Sequence, residues 1–315
     1  METVKSPKFW CLIFVVLTVV SSGCKRRSLD FVEDPISPTT QKPETVDENT
    51  GNPPVDQKDP EPEMKPDNEV EADPNCLNIT NYDFTQPGPF QVSVNQTGAV
   101  NTYVPSNLPG GCKAPMVHFN NGTGATCAYY NNISQHLASY GFLVACYEST
   151  NTGSGEQCIT AIETLYSNNK NIADMGKIGT TGHSQGGSAA LTCLYLAENK
   201  WPNSKFAAHA IEPAHGMNRN TWQGEYPQIK SPVFMFSGSN DTLVSSDWVG
   251  WGYGLLNSET VWFEAEGATH FNPHGWAMSS SVAWFRWKLL DDNKAGSTLM
   301  GYPNNQYWNA VASKN

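Results

Sequence analysis

The pentapeptide Gly-His-Ser-Gln-Gly at residues 182–186 decides the fold expected for this chain. Its two glycines flank Ser184 in the G-x-S-x-G spacing, which presents a serine hydroxyl on a sharp turn between a strand and a helix. Residues 177–181 before it are β-prone, and residues 187–198 after it carry small and apolar side chains at helical spacing. This context predicts that Ser184 is a nucleophile, against the alternative of an incidental serine in a glycine-rich turn.

Apolar strand patterns alternate with helical patterns along residues 76–315, a segment long enough for one buried domain. The alternation predicts an α/β fold in which helices cover both faces of a mostly parallel sheet. Ligands then bind beyond the carboxyl ends of the strands. The predicted strands are 90–94, 101–104, 115–120, 142–147, 178–181, 207–211, 232–237 and 261–264, and the predicted helices are 128–139, 156–167, 187–198 and 279–290.

Two polar residues follow late strands of this pattern. Asp241 comes after the predicted strand 232–237, and His270 comes after the predicted strand 261–264. The chain order Ser184, Asp241, His270 differs from the orders in the two large serine protease folds. His270 would take the proton of the serine, and Asp241 would hold the imidazole in the required tautomer. Asp247 is the rival acid, and His274 is the rival histidine.

Several stretches together resemble the α/β-hydrolase superfamily, and within it the cutinase-like and polyester (PET) hydrolase-like esterases with their dienelactone-hydrolase and chlorophyllase-like relatives. The resemblance covers about residues 90–290. It implies an α/β-hydrolase fold without a large lid domain, and ester hydrolysis through an acyl-serine intermediate with no metal or cofactor. The stretches that carry it are 119–125, 136–144, 182–187, 238–244 and 267–271.

Attack by the serine creates an oxyanion that needs two preorganised donors. The backbone amide of Gln185, directly after the nucleophile and at the start of a helix, is the first candidate. The second is expected from the loop after the predicted strand 115–120, where residues 121–124 read Asn-Gly-Thr-Gly. The resemblance favours the amide of Thr123, and a plain flexible turn is the alternative.

Substrate preference depends on weaker signals. Only about twenty residues, 212–231, join the predicted strands 207–211 and 232–237, and so short a connection implies an open cleft for bulky or polymeric esters. By resemblance, His215 falls near an aromatic subsite position of polyester hydrolases. Trp248 and Trp251 either line the cleft or pack in the core. An acetyl, feruloyl or other small-ester esterase is the alternative enzyme, and a surface binding module is the alternative without catalysis.

Residues 1–24 have the pattern of an export signal. Lys5 and Lys8 precede an apolar run at 9–20, which is shorter than the roughly 20 residues needed to span a bilayer. The run ends in Ser-Ser-Gly-Cys at 21–24, which resembles a bacterial lipobox that would make Cys24 the lipid-modified first residue of the mature protein. This predicts an exported cell-surface or outer-membrane lipoprotein. A secreted soluble protein with an ordinary cleaved signal is the alternative.

Residues 25–75 are predicted to be a disordered acidic linker. Between 28 and 75 there are fourteen Asp and Glu against three Lys, together with nine prolines, so this stretch has a local charge balance of −11, equal to the formal net charge of the whole chain. Residues 76–315 hold fifteen acidic and eleven basic side chains and offer no basic stripe for nucleic acid. The expected partners are an ester substrate and, through Cys24, a membrane. The protein is expected to be a monomer.

Six cysteines remain after the signal segment, and an even number in an exported chain favours disulfide bonds. Their connectivity does not follow from sequence, since six cysteines allow fifteen pairings. Cys146 and Cys193 lie in apolar strand and helix patterns, where buried free thiols are the alternative. The chain contains no C-x-x-C pair, so its cysteine spacing does not suggest a zinc or redox site. The six are Cys76, Cys112, Cys127, Cys146, Cys158 and Cys193.

Overall fold

The computed structural model describes residues 76–215, 219–272 and 274–315. The signal segment, Cys24 and the acidic linker predicted for residues 1–75 lie outside the described residues.

The described residues form a nine-stranded sheet in the order β1-β2-β4-β3-β5-β6-β7-β8-β9. The six strands from β3 to β8 pair in parallel, whereas β1, β2 and β9 pair antiparallel at the two edges. The strands are β1 Gln91–Thr97, β2 Val100–Ser106, β3 Ala114–Asn120, β4 Leu143–Tyr147, β5 Ala173–His183, β6 Lys205–Ile211, β7 Val233–Gly238, β8 Thr260–Ala265 and β9 Trp308–Lys314.

Helices cover both faces of the sheet. Helices α1, α6 and α7 pack with one apolar cluster on one face, and α2, α3 and α5 pack with a second cluster on the other face. Short 3-10 helices lie at Cys127–Tyr130, Tyr226–Gln228 and Tyr302–Asn304. The α-helices are α1 Asn131–Ser139, α2 Glu156–Asn168, α3 Gln185–Lys200, α4 Arg219–Glu225, α5 Ser246–Leu255, α6 His274–Leu290 and α7 Asn293–Met300.

The inner strands are buried because helices cover both of their faces. All seven residues of β3 and all six residues of β7 are buried, which is why these strands read as continuous apolar runs rather than as alternating patterns. The parallel register brings the carboxyl ends of β5, β6, β7 and β8 to the same side of the sheet. The loops that follow these four strands therefore lie close together there.

The predicted mostly parallel α/β sheet is confirmed, and each of the eight predicted strands corresponds to an observed one. Four elements were not predicted: α4, α5, α7 and β9. Helix α5 contains three glycines, and β9 has mostly exposed residues, so neither presents a clear apolar pattern. Strand β9 forms because it pairs with β8, and its Trp308 is buried against Phe236 and Phe263.

The six cysteines form three disulfide bonds, Cys76–Cys112, Cys127–Cys146 and Cys158–Cys193. The expectation of disulfides is confirmed. The alternative of free thiols at Cys146 and Cys193 is wrong, because in each case an apolar neighbouring element carries the partner cysteine. One bond joins the 3-10 helix before α1 to β4, and another joins α2 to α3.

Within the described ranges, no helix combines the length and the apolar character needed to cross a membrane.

Candidate active site

The turn between β5 and α3 is a strained elbow that exposes Ser184. Ser184 has φ of 58° and ψ of −121°, a backbone conformation that side-chain-bearing residues rarely adopt. The flanking glycines allow it: a Cβ on Gly182 would lie 2.2 Å from the carbonyl oxygen of Gly186, and one on Gly186 would lie 2.1 Å from that of Asn120. The G-x-S-x-G spacing therefore has a steric origin in this chain.

The structure brings Ser184, Asp241 and His270 into one hydrogen-bonded row. Oγ of Ser184 lies 2.9 Å from Nε2 of His270, and Nδ1 of His270 lies 2.8 Å from Oδ2 of Asp241. Asp241 follows β7 and His270 follows β8, so the parallel sheet places both side chains beside the elbow after β5. The alternative acid Asp247 is exposed in the first turn of α5.

Asp241 is held as a carboxylate. Burial opposes its ionisation, but hydrogen bonds from His270 and from the amides of Val244 and Leu243 outweigh burial and lower the pKa of Asp241 below its ordinary value. Both amides donate to Oδ1 at 2.8 Å, so Oδ2 remains directed at His270. An ionised acceptor at this point favours the His270 tautomer with its hydrogen on Nδ1, and that leaves Nε2 free to accept the proton of Ser184.

Both candidate oxyanion donors border the nucleophile. Gln185 is the first residue of α3, where backbone amides have no partner within the helix. Thr123 is exposed and lines the same cavity as Ser184. The loop carrying Thr123 is anchored at Asn121, whose Nδ2 donates to the carbonyls of Tyr147 and Ser149 at 2.9 and 3.0 Å.

A cavity of about 280 Å³ opens at the nucleophile. Two aromatic side chains at its rim are accessible to solvent, Tyr129 with 48% and Phe271 with 70% of its surface exposed. Neither was predicted, although Phe271 directly follows the histidine in sequence. The lining residues are Gly122, Thr123, Gly124, Ala125, Tyr129, Tyr130, His183, Ser184, His270 and Phe271.

The three residues expected from sequence to contact substrate lie outside this cavity. His215 is fully buried, its Nδ1 is 3.3 Å from both Ser188 Oγ and Tyr226 Oη, and its ring packs beside Trp222. Trp248 and Trp251 are half-buried against the apolar cluster that includes α3 and α5. All three side chains therefore pack against neighbouring residues of the protein and do not line the cavity at Ser184.

The segment between β6 and β7 forms no large cap over Ser184 in its described part. It contains α4 and the 3-10 helix that follows it, and both pack inward, with Trp222 1% exposed and Tyr226 fully buried. The cavity at the nucleophile stays open to solvent along the loops after β3 and β8.

Three features identify the fold: the strand order of the sheet, the elbow after β5, and an acid and a histidine in the loops after β7 and β8. The chain has an α/β-hydrolase fold. It is similar to a bis(hydroxyethyl) terephthalate hydrolase of Streptomyces coelicolor, with 26% identity over 192 residues. This confirms the resemblance to PET hydrolase-like α/β-hydrolases. The match covers 56% of this chain and 58% of that relative, so it spans little more than half of each protein. No known protein-family model matches the chain.

The fold also places a second buried acid, Glu212, beside the hydrogen-bonded row, and the sequence analysis did not identify it. Oε2 of Glu212, the residue after β6, lies 3.1 Å from Nε2 of His183 and 3.6 Å from Nδ1 of His270. Burial, and then the charge of Asp241, raises the pKa of Glu212 to about 9, so its carboxyl is neutral at pH 7. A carboxylate at the end of β6, the same edge as Ser184, was the available sequence signal.

His183, Glu212 and His270 are also the kind of side chains that hold metal ions, and their ligand atoms lie within 4.8 Å of one another. Hydrogen bonds already account for this arrangement. Nδ1 of His270 meets Asp241 at 2.8 Å, so a metal ion at that atom would have to displace the acid. A second such cluster among the described residues places His118 near Cys158 and Cys193, whose sulfurs are joined in a disulfide.

Proposed function

We propose that this protein is a serine-dependent carboxylic-ester hydrolase that acts on exposed or polymeric esters through an acyl-serine intermediate. One observation carries the proposal: Oγ of Ser184 lies 2.9 Å from Nε2 of His270, while Nδ1 of the same ring lies 2.8 Å from Asp241. A serine hydroxyl is a poor nucleophile, and a base within hydrogen-bond distance that is itself oriented by a carboxylate is what activates it.

The reaction would proceed in two halves. Oγ of Ser184 attacks the ester carbonyl as its proton passes to Nε2 of His270, and the imidazolium then returns the proton to the departing alcohol. Water attacks the acyl-serine in the same way and releases the acid. Asp241 stabilises the imidazolium, and the amides of Gln185 and Thr123 would donate to the oxyanion in both halves.

The cleft supports the preference for exposed esters. A cavity of about 280 Å³ with solvent-exposed Tyr129 and Phe271 at its rim suits a chain lying on the surface. Exposed aromatic rings provide flat faces for an aromatic acid group. The similar Streptomyces protein is named as a hydrolase of a terephthalate ester, which agrees with such a group.

The test compares the full chain with Ser184→Ala on p-nitrophenyl esters of increasing acyl length. We expect hydrolysis by the wild type and its loss in Ser184→Ala, while Ser167→Ala, at an exposed position of α2, retains activity. Equal rates for the wild type and Ser184→Ala would refute a serine esterase. No hydrolysis of any ester would favour the binding-module alternative.

A second assay separates polymeric from small esters. We expect the wild type to release soluble aromatic acid from a polyester film and from bis(hydroxyethyl) terephthalate. Activity restricted to acetyl or feruloyl esters, with none on film, would favour the small-ester alternative.

The localisation proposal is export with a lipid anchor at Cys24. Three disulfides in the described residues support an oxidising compartment. Expression of the full chain in a bacterial host should place the wild type in the membrane fraction and Cys24→Ala in a soluble or unprocessed fraction. Equal distribution of the two would contradict the anchor and support a secreted soluble protein.

A further inference from the structure

The carboxyl of Glu212 has no place in the proposed reaction, yet it is buried at the centre of the site. The residue is fully buried, and its φ of 44° is unusual for a side-chain-bearing residue. Among the described residues no hydrogen-bond partner meets Oε1. A Cβ on Gly238 would lie 2.8 Å from that oxygen, so the glycine leaves room for the carboxyl. Burying such a group is costly, and the cost calls for an explanation.

A chain of hydrogen bonds orients the His183 ring and the carboxyl of Glu212. The amide of Gly122 donates to Oη of Tyr130 at 3.2 Å, and that Oη lies 2.8 Å from Nδ1 of His183. The hydroxyl hydrogen of Tyr130 can then point to Nδ1, and in that arrangement the ring hydrogen of His183 is on Nε2. In that tautomer Nε2 donates to Oε2 of Glu212, 3.1 Å away. These hydrogen bonds through Tyr130 and His183 hold Oε2 of Glu212 in one position.

That position is next to the catalytic imidazole. Oε2 of Glu212 lies 3.6 Å from Nδ1 of His270, the atom that Asp241 meets at 2.8 Å. The rings of His183 and His270 pack at 4.7 Å between centroids, so the hydrogen bond with His183 places Glu212 beside the base. Nδ1 of His270 thus has two carboxyl groups in reach, one in hydrogen-bond contact and one slightly beyond it.

We propose that Glu212 is a positioning residue for His270, a second acid that becomes the acceptor for Nδ1 and takes over the orientation of the imidazole when Asp241 is removed. The inference rests on the proposed esterase function. Four titratable groups surround the Glu212 carboxyl: His183 from the elbow, His270 from the loop after β8, Asp241 from the loop after β7, and Tyr130 through His183. Removal of Asp241 takes away a neighbouring carboxylate whose charge opposes ionisation of Glu212.

The kinetic test is a double-mutant cycle in the full chain, with Asp241→Ala, Glu212→Gln and both together, assayed on p-nitrophenyl butyrate across pH. Loss of the only acid of such a row costs roughly 10⁴-fold in kcat. We expect Asp241→Ala to lose only about 10²-fold, and the double variant to lose at least about tenfold more than the separate effects predict. The activity of Asp241→Ala should rise with pH as Glu212 ionises, and Glu212→Gln should remove that rise.

A purely structural Glu212 would give a different result. It would lower kcat/KM by the same factor with and without Asp241 and leave the pH profile of Asp241→Ala unchanged, and either result overturns the proposal. Near-ultraviolet circular dichroism and thermal unfolding of each variant show whether it is folded.

A readout that does not need activity separates this proposal from the esterase assignment. ¹⁵N chemical shifts of His270 report which ring nitrogen carries hydrogen. In Asp241→Ala we expect His270 to keep its hydrogen on Nδ1, and in the double variant to lose that preference. The same tautomer in both variants overturns the role of Glu212, whether or not the wild type hydrolyses esters.

Discussion

Oη of Tyr130 lies 2.8 Å from Nδ1 of His183, the residue directly before the nucleophile. The same hydroxyl accepts from the amide of Gly122, in the loop that carries Thr123. Tyr130 therefore ties the candidate oxyanion loop after β3 to the elbow after β5. Burial raises the pKa of Tyr130 far above its ordinary value, so the hydroxyl remains a neutral donor and acceptor.

Tyr130→Phe should lower kcat by about 10-fold to 10²-fold with little change in KM, because the oxyanion loop loses its attachment to the elbow. Leaving the Gly122 amide without an acceptor should also lower the free energy of unfolding by about 1–3 kcal/mol. Steady-state kinetics and urea unfolding measure the two effects. Tyr166→Phe, in α2 on the other face of the sheet, is the matched control and should alter neither.

Gly186→Ala should disrupt the elbow. The added methyl would lie 2.1 Å from the carbonyl oxygen of Asn120, so the backbone must shift, at a cost of about 1–3 kcal/mol in unfolding free energy. A nucleophile displaced by this shift should lose about 10²-fold in kcat. Gly224→Ala in α4 has no atom within 4 Å of the new methyl and should be neutral or stabilising by up to about 1 kcal/mol. Similar melting temperatures for the two variants would contradict the steric argument.

The stability of the protein should depend on the ionisation of Glu212. Its pKa is about 9 in the folded protein against an ordinary 4.5, so the folded state binds more protons between these values. Stability is then greatest below the lower value and falls as pH rises toward the higher one. Relative to Glu212→Gln, the wild type should lose on the order of 1 kcal/mol of unfolding free energy per pH unit. Urea unfolding of both proteins at about pH 5, 7 and 8.5 tests this, and a constant difference would rule out a buried neutral acid.

Removal of the Cys127–Cys146 disulfide by a double substitution to alanine should lower the unfolding free energy by about 3 kcal/mol, because the bond closes a loop of 19 residues. The effect on activity should exceed that of removing Cys76–Cys112, since Cys127 also lies 3.7 Å from the Nδ2 of Asn121 that anchors the oxyanion loop. Chemical unfolding and ester assays of the two double variants make the comparison. Equal losses of activity would place the effect in global stability alone.

Phe271→Ala should raise KM for bis(hydroxyethyl) terephthalate by about tenfold, if the exposed ring stacks on the aromatic acid group. KM for an acetyl ester should change little, because an acetyl group offers no ring. Val311→Ala, another exposed apolar side chain but on β9, serves as the control. An equal change for both esters would mean that Phe271 shapes the cleft without recognising the ring.

The sequence predicted the sheet well where strands are buried on both faces, since β3 and β7 show continuous apolar runs. It failed for β9 and α5, whose residues are stabilised by Trp308 and by neighbouring elements rather than by a pattern of their own. His215 illustrates the limit for the site. Its position along the chain suggested substrate contact, but its side chain turns inward to Ser188 and Tyr226.

The proximity of Ser184, Asp241 and His270 could be predicted from the sequence. Each lies in the turn or loop after a strand with a strong local signal, and neighbouring parallel strands end on the same side of the sheet. The strained elbow could also be predicted locally, because Gly182 and Gly186 on either side of Ser184 permit it. The partnership of Tyr130, His183 and Glu212 was decided only by the tertiary structure. These residues are up to 82 positions apart in the chain, and the contacts between them depend on side-chain direction at the end of β6 and on the burial that neutralises Glu212. Burial is a property of the packed fold, and no local stretch of sequence contains it.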